Sequence, residues 1–244
     1  MTEEPNSQDR QNKPDKRGEP PSWKSRLRWL AKGVGLGAAL LWLVAALTLV
    51  SYRWIDPPTT AVHVERRAQA WIHGRPYHER FRFVPLRQIS PNLQHAVIAA
   101  EDGRFYQEHG FDWHQIQIDA KDDMDGERLR GASTLDQQLI KNLFFGSGRS
   151  ILRKAAVATL VPVAEVALGK QRILELYLNE VEWGPGVYGA EAACRYWYGA
   201  PARAIDRDDA ARLAAILPDP RRWRPERMDW YSAVIEERMR QMGW

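Results

Sequence analysis

The spacing of hydrophobic positions along the chain changes twice. The first 23 residues, rich in Pro, Glu, Gln, Lys and Asp, have no apolar periodicity and are expected to be disordered. Gly33 to Tyr52 then form twenty consecutive positions without a charge. At helical rise that run is roughly 30 Å long, the thickness of a bilayer's hydrocarbon core. It exceeds the usual signal-peptide apolar region of about 7 to 15 residues, and no small-x-small cleavage site is evident near its end. A transmembrane helix is the expectation. Beyond it, Asp56-Pro57-Pro58 breaks any helix and serves as a stiff connector.

Val62 to Ile72 is expected to form a short helix and Phe81 to Leu86 a short extended piece. From Ser90 the pattern becomes strongly helical. Ser90 suits an N-cap, Pro91 the first helical position, and Leu93, Val97 and Ala100 fall on one face. Further helices are expected over Ser133–Phe145, Ile151–Leu168, Gln171–Glu180, Gly189–Tyr198 and Asp206–Leu217. Strand signals are nearly absent, so the fold class expected is mainly α. Ala120 to Arg130 and Gly146 to Ser150 read as polar loops.

Composition narrows the picture. With 244 residues, 27% charged and 44% hydrophobic, the chain has room for one medium-sized domain besides the tail and the apolar span. Cys194, the single cysteine, cannot close an intramolecular disulfide and reads as a small buried residue. Residues 1 to 32 carry eight Lys+Arg against five Asp+Glu, leaving 27 against 26 in the remainder. The basic excess therefore sits in the tail, and nothing argues for a nucleic-acid partner. Lys24, Arg26, Arg28 and Lys32 precede the apolar span and only Arg53 closely follows it. The positive-inside rule then places the N-terminus in the cytosol and the following domain in the periplasm or at the outer surface.

Three stretches could carry chemistry. Glu101 ends the helix that Ser90 begins, about 80° round from Leu93. Partial burial and the negative end of the helix dipole both disfavour the ionised carboxylate, the tuning a general base needs. Position alone favours a solvated helix ending. Gly131-Ala132-Ser133-Thr134-Leu135-Asp136-Gln137-Gln138-Leu139-Ile140-Lys141-Asn142 offers Ser133 as N-cap, with Asp136 completing a capping box. Thr134, Gln138 and Lys141 share a stripe with Gln137 beside it, a set suited to a phosphate or diphosphate and equally to an ordinary polar face. Arg149, Arg153 and Lys154 form a small cationic cluster that could hold the same anion or remain solvated. His109 and His114 are five apart with no further ligand pattern, which does not make a zinc site. No Ser-x-x-Lys or Lys-Thr-Gly signature of a transpeptidase is present.

Taken jointly, Glu101-Asp102-x-x-Phe105 leading to Gly110, Gly131-x-Ser133-Thr134-x-x-Gln137-Gln138-x-x-Lys141-Asn142-x-Phe144, Arg153-Lys154, and Lys170-x-x-Ile173-Leu174-Glu175-x-Tyr177-Leu178-Asn179 resemble the peptidoglycan glycosyltransferases, glycosyltransferase family 51. The anchor and the missing transpeptidase signature match the family's monofunctional biosynthetic members. The resemblance implies a lysozyme-like, mainly α domain over residues 85–244. A tail (1–32), a transmembrane helix (33–52) and a connector (53–84) precede it.

The resemblance further implies an enzyme of the bacterial inner membrane, with lipid II and the growing glycan chain as substrates and undecaprenyl diphosphate as leaving group. Glu101 would be the general base. Asp102, Phe105, Ser133, Thr134, Gln137, Gln138, Lys141, Asn142, Arg153 and Lys154 would contact the diphosphate or shape its groove. A divalent metal, Mg2+ or Mn2+, sometimes assists, and cell-wall synthesis or division proteins are the expected protein partners.

Two positions depart from the family pattern. Val157 stands where a second active-site glutamate is expected, and Glu108 stands at a histidine position. Pro162 is expected to bend the helix between Val157 and Glu165, keeping Glu165 from replacing the missing acid. A homologue that binds lipid II as a scaffold, and a lytic enzyme that cleaves finished glycan, are the alternative classes.

Overall fold

The computed structural model describes residues 23–110, 133–148 and 150–244. The tail to residue 22, Trp113, His114, Ile116, Ile118, the Ala120–Arg130 loop and Arg149 lie outside these residues.

The chain divides after Leu43. On the N-terminal side, the described residues belong to α1 (Trp23–Ser51), within which Arg26–Ser51 is long and apolar enough to cross a membrane. The helix begins at Trp23, ten residues earlier than the uncharged run. The unit from Val44 onward is mainly α. Ala46 and Leu49, at the end of α1, are buried in its core. Arg172 donates to the carbonyls of Tyr52 and Ile55 and to Asp56, fastening the connector.

The domain comprises α2 (Ala61–Ile72), α3 (Pro91–Glu101), α4 (Leu135–Phe144), α5 (Ile151–Glu180), α6 (Ala190–Tyr198), α7 (Arg207–Ala215) and α8 (Asp229–Gln241). Helix α3 is the central element. Ser90 caps it as expected, accepting from Asn92 N at 3.3 Å. Leu93, Ala96, Val97, Ile98 and Ala99 are buried. Small residues Ala210, Ala211 and Ala214 of α7 let that helix pack closely on α3. Helix α8, which the periodicity reading missed, covers α3 through Tyr231, Ile235 and Met239. Arg238 of α8 donates to Ala99 O, near the negative end of α3.

Helix α4 lies along α5. The two helices expected over 151–180 run as one element interrupted at Gly169, whose φ of 71° and ψ of 163° are not helical. Pro162 lies inside the helix, and the break between its two parts falls at Gly169, whose positive φ glycine reaches readily.

The strands β1 (Arg80–Phe81), β2 (Glu182–Gly184) and β3 (Val187–Tyr188) form a small sheet in the order β1-β3-β2. β1 is parallel to β3 and β2 antiparallel to it. The extended piece expected over Phe81–Leu86 is thus confined to its start. Asn179 links sheet and helix: its Oδ1 accepts from Val84 N at 2.9 Å and its Nδ2 donates to Val84 O at 3.0 Å.

Beside this sheet lies a buried acid–imidazole group. His63 Nδ1 is 3.1 Å from Glu79, and its Nε2 is 3.8 Å from Glu180. Neither oxygen of the 1% exposed Glu180 has a hydrogen-bond partner among the described residues. Burial, assisted by Asp56 and Glu79, pushes the Glu180 carboxyl up to about 8. Between the ordinary value of 4.5 and about 8 the folded chain retains a proton that the unfolded chain has lost. Stability from this group is therefore complete below the lower value and is lost as pH rises through the upper one. The expected result is a thermal midpoint that declines from pH 5 to pH 8 and a shallower decline in Glu180→Gln. Equal slopes in the two proteins would contradict it.

Candidate functional site

The site forms where α3 ends against the start of α4. Asp102 follows Glu101 and turns inward, and its Oδ2 accepts from Leu135 N at 3.0 Å. Thr134, not Ser133, is the N-cap of α4: its Oγ1 accepts from Gln137 N at 3.3 Å and donates to Gly110 O at 2.9 Å. Gly110, at a φ of 76°, lies so close to α5 that a Cβ would be 2.1 Å from Val161. Ser133 remains exposed, free of the capping role expected for it.

Asp136 does not complete a capping box. It is fully buried and pairs with Lys170 Nζ at 3.1 Å, while Lys170 also meets Glu165 at 2.6 Å. The Lys170 ammonium lies 4.4 Å from the centroid of the Phe105 ring. Burial, with the Glu165 carboxylate beside it, pushes the Asp136 carboxyl up to about 7 despite Lys170. Phe105 itself is 0% exposed, so it supports the site from below and cannot touch a ligand. Asp102 and Thr134 are also buried beneath the surface; their capping bonds hold α4 in place.

Above this support α4 and α5 enclose a groove of about 560 Å³. Its wall is Ser133, Gln137, Gln138 and Lys141 on one side and Ser150, Ile151, Arg153, Lys154 and Val157 on the other, with Gly148 between. The structure thus brings together six of the expected residues: Ser133, Gln137, Gln138, Lys141, Arg153 and Lys154. Asn142 is half-buried and does not line the groove. Arg153 donates to the carbonyls of Gly146 and Gly148, which sets its guanidinium against the loop.

That loop has a support sequence reasoning missed. Glu65 of α2 accepts from both Ser147 N and Ser147 Oγ at 2.6 Å. Burial opposes the Glu65 carboxylate, but the two Ser147 bonds together with the Arg66 and Arg153 charges outweigh it and hold the group below its ordinary value. No signal in the α2 stretch pointed to this contact.

Glu101 is partly buried, and its Oε2 accepts from Gln138 Nε2 at 2.9 Å. The carboxylate expected to act as base is therefore held by a residue of the groove wall. Three cations and no acidic side chain line the groove among the described residues, so its field favours a polyanion. Val157, 6% exposed, presents its apolar side chain where the family pattern has a carboxylate. Hard divalent cations take oxygen ligands, above all carboxylates, and among the described residues this wall provides no carboxylate. Glu165 does not compensate, since Lys170 engages it away from the lining. Asp102, Glu108 and Asp136 bring carboxylate oxygens within 4.8 Å of one another, but below the groove, with Asp102 engaged at Leu135 N and Asp136 at Lys170. The groove thus fits an anion and does not fit a metal held by its own wall.

A carboxylate at a helix end thus stands beside a groove lined by three cations. The transglycosylase family model matches residues 68–242, and the chain belongs to that family. A biosynthetic peptidoglycan transglycosylase of Pseudomonas putida is 44% identical over 214 residues, covering 85% of this chain and 91% of the relative. Proteins of the same name from Pseudomonas entomophila and Ectopseudomonas mendocina are 45% identical over 215 residues and 44% identical over 210. They cover 85% and 84% of this chain, and 91% and 87% of their own lengths.

Proposed function

We propose that this chain is an active peptidoglycan glycosyltransferase that polymerises lipid II with Glu101 as general base. The observation that carries the proposal is the groove in which Lys141, Arg153 and Lys154 converge within reach of the helix ending in Glu101. Glu101 takes the proton of the 4-hydroxyl on the incoming GlcNAc, and that oxygen forms a bond to the anomeric carbon of the chain's terminal MurNAc. The bond from this carbon to the diphosphate oxygen breaks with inversion, and undecaprenyl diphosphate departs with the electron pair. The three cations stabilise the charge that develops on it. The apolar helix α1 anchors the chain in the inner membrane, with the tail cytosolic and the groove on the periplasmic side, where lipid II presents its sugars.

The purified full-length protein in detergent, given labelled lipid II, is expected to yield long glycan chains and one undecaprenyl diphosphate per bond formed. Lipid II bound but recovered intact would instead support the scaffold reading, which Val157 motivates. Soluble fragments released from preformed glycan would support a lytic enzyme.

The donor set of the groove leads to a second expectation. Wild-type polymerisation should proceed equally in chelator and in Mg2+, whereas Val157→Glu should gain several-fold when Mg2+ is added, because the new carboxylate faces the diphosphate position. A wild type silenced by chelator would contradict this account of the leaving group.

A further inference from the structure

Tyr177 belongs to the motif near the end of α5 but does not line the groove. It is 1% exposed, and its hydroxyl donates to Gln138 Oε1 at 3.1 Å. The other end of the same amide, Nε2, donates to Glu101 Oε2 at 2.9 Å and to Ser133 O at 3.3 Å. Three residues from α3, α4 and α5 thus form a relay from a buried phenol to the carboxylate proposed as base.

The chemistry of each group fixes the direction of the relay. Glu101 Oε2 and Ser133 O are both acceptors, so the amide must turn its N–H end toward them. That leaves Oε1 facing inward, where it needs a donor. Burial, with the charges of Glu101 and Asp102 nearby, pushes the Tyr177 hydroxyl well above its ordinary range, so it keeps its proton and remains a donor. In the opposite orientation the amide oxygen would face two other acceptors, Glu101 Oε2 and Ser133 O, so only one arrangement satisfies every group.

We infer that Tyr177 is a positioning residue for glycosyl transfer: its hydroxyl locks the Gln138 amide, and the amide holds the Glu101 carboxylate at the groove. Gln138 therefore acts on the base rather than on the diphosphate. The inference rests on the reading of Glu101 as base. Without the phenol, Oε1 loses its buried donor and the partly exposed amide swings toward water. Glu101 then loses an N–H that favours its ionised form and fixes its place.

The test is polymerisation of labelled lipid II by the full-length protein between pH 5 and pH 8. Tyr177→Phe keeps the ring and removes only the hydroxyl. The expected result is a kcat lowered about tenfold, with KM little changed. The acid limb of the pH profile should move up by about one unit, since the carboxylate loses a stabilising donor. Gln138→Met should give the same displacement, and adding Tyr177→Phe to it should give no further one.

A Tyr177→Phe protein that melts earlier yet keeps the wild-type limb and kcat would overturn the inference, leaving the tyrosine a packing residue. Independent displacements that add in the double variant would also overturn it. Should Tyr177→Phe fail to fold, an unmoved limb in Gln138→Met is the overturning result. Glu101→Gln separates the two levels. If it polymerises at the wild-type rate, the base assignment falls and the relay with it; if it is inactive while Tyr177→Phe keeps the wild-type limb, the relay alone falls.

Discussion

Replacing Lys170 by Met is expected to destabilise the domain by about 3–5 kcal/mol, the usual result of removing one partner from a buried ion pair. Lys170 is the cation that Asp136 and Glu165 share, and Asp136 has no exposed surface. Burial alone would lower the Lys170 pKa, but the two carboxylates more than offset this and hold it above the ordinary value. Without it, Asp136 and Glu165 face each other with no positive charge, and Phe105 loses the ammonium over its ring. Because burial and Glu165 already push Asp136 up to about 7, the variant should recover part of its stability at acid pH, where the carboxyls take up protons. Urea melts at pH 5 and pH 7.5 check this. An equal, small loss at both values would show that Lys170 is only a surface residue. Adding Asp136→Asn to Lys170→Met should restore stability at the higher pH.

This network also marks where sequence reading stops. Local signals were legible: Ser90 and Pro91 announce α3, and the apolar spacing from Leu93 onward gives its buried face. The uncharged run Gly33–Tyr52 gave the apolar helix in the same way. Glu101 was singled out by its place in a motif, and its helix-terminal position is what the structure shows.

Phe105, Asp102 and Thr134 belong to the same motifs, but motif membership does not separate a residue that touches a ligand from one that holds the touching residues in place. The structure puts these three beneath the groove. Ser133 and Thr134 are adjacent hydroxyls, and which one caps α4 depends on Gly110 O, more than twenty positions away. The small sheet was illegible because strands of two and three residues carry no period. Helix α8 was legible in principle: Tyr231, Ile235 and Met239 are spaced by four. Contacts such as Glu65 with Ser147 and Tyr177 with Gln138 join parts of the chain far apart in sequence, where spacing has no reach.

Glu101→Gln is expected to lower polymerisation by about 10²- to 10⁴-fold, the range general-base catalysis contributes. The amide keeps the size of the side chain and can still sit beside Gln138, so the groove formed by Lys141, Arg153 and Lys154 should bind lipid II as before. Loss should therefore appear in kcat with little change in substrate affinity, the pattern of a group that acts only in the transition state. Destabilisation should be small because Glu101 is only partly buried.

The most direct measurement is made on one sample of labelled lipid II, with bound substrate and glycan chain length followed together for the wild type and Glu101→Gln. Equal binding by both proteins and long chains from the wild type alone are expected. Equal chain growth by the two proteins, or saturating binding by the wild type with no chain growth, would contradict this.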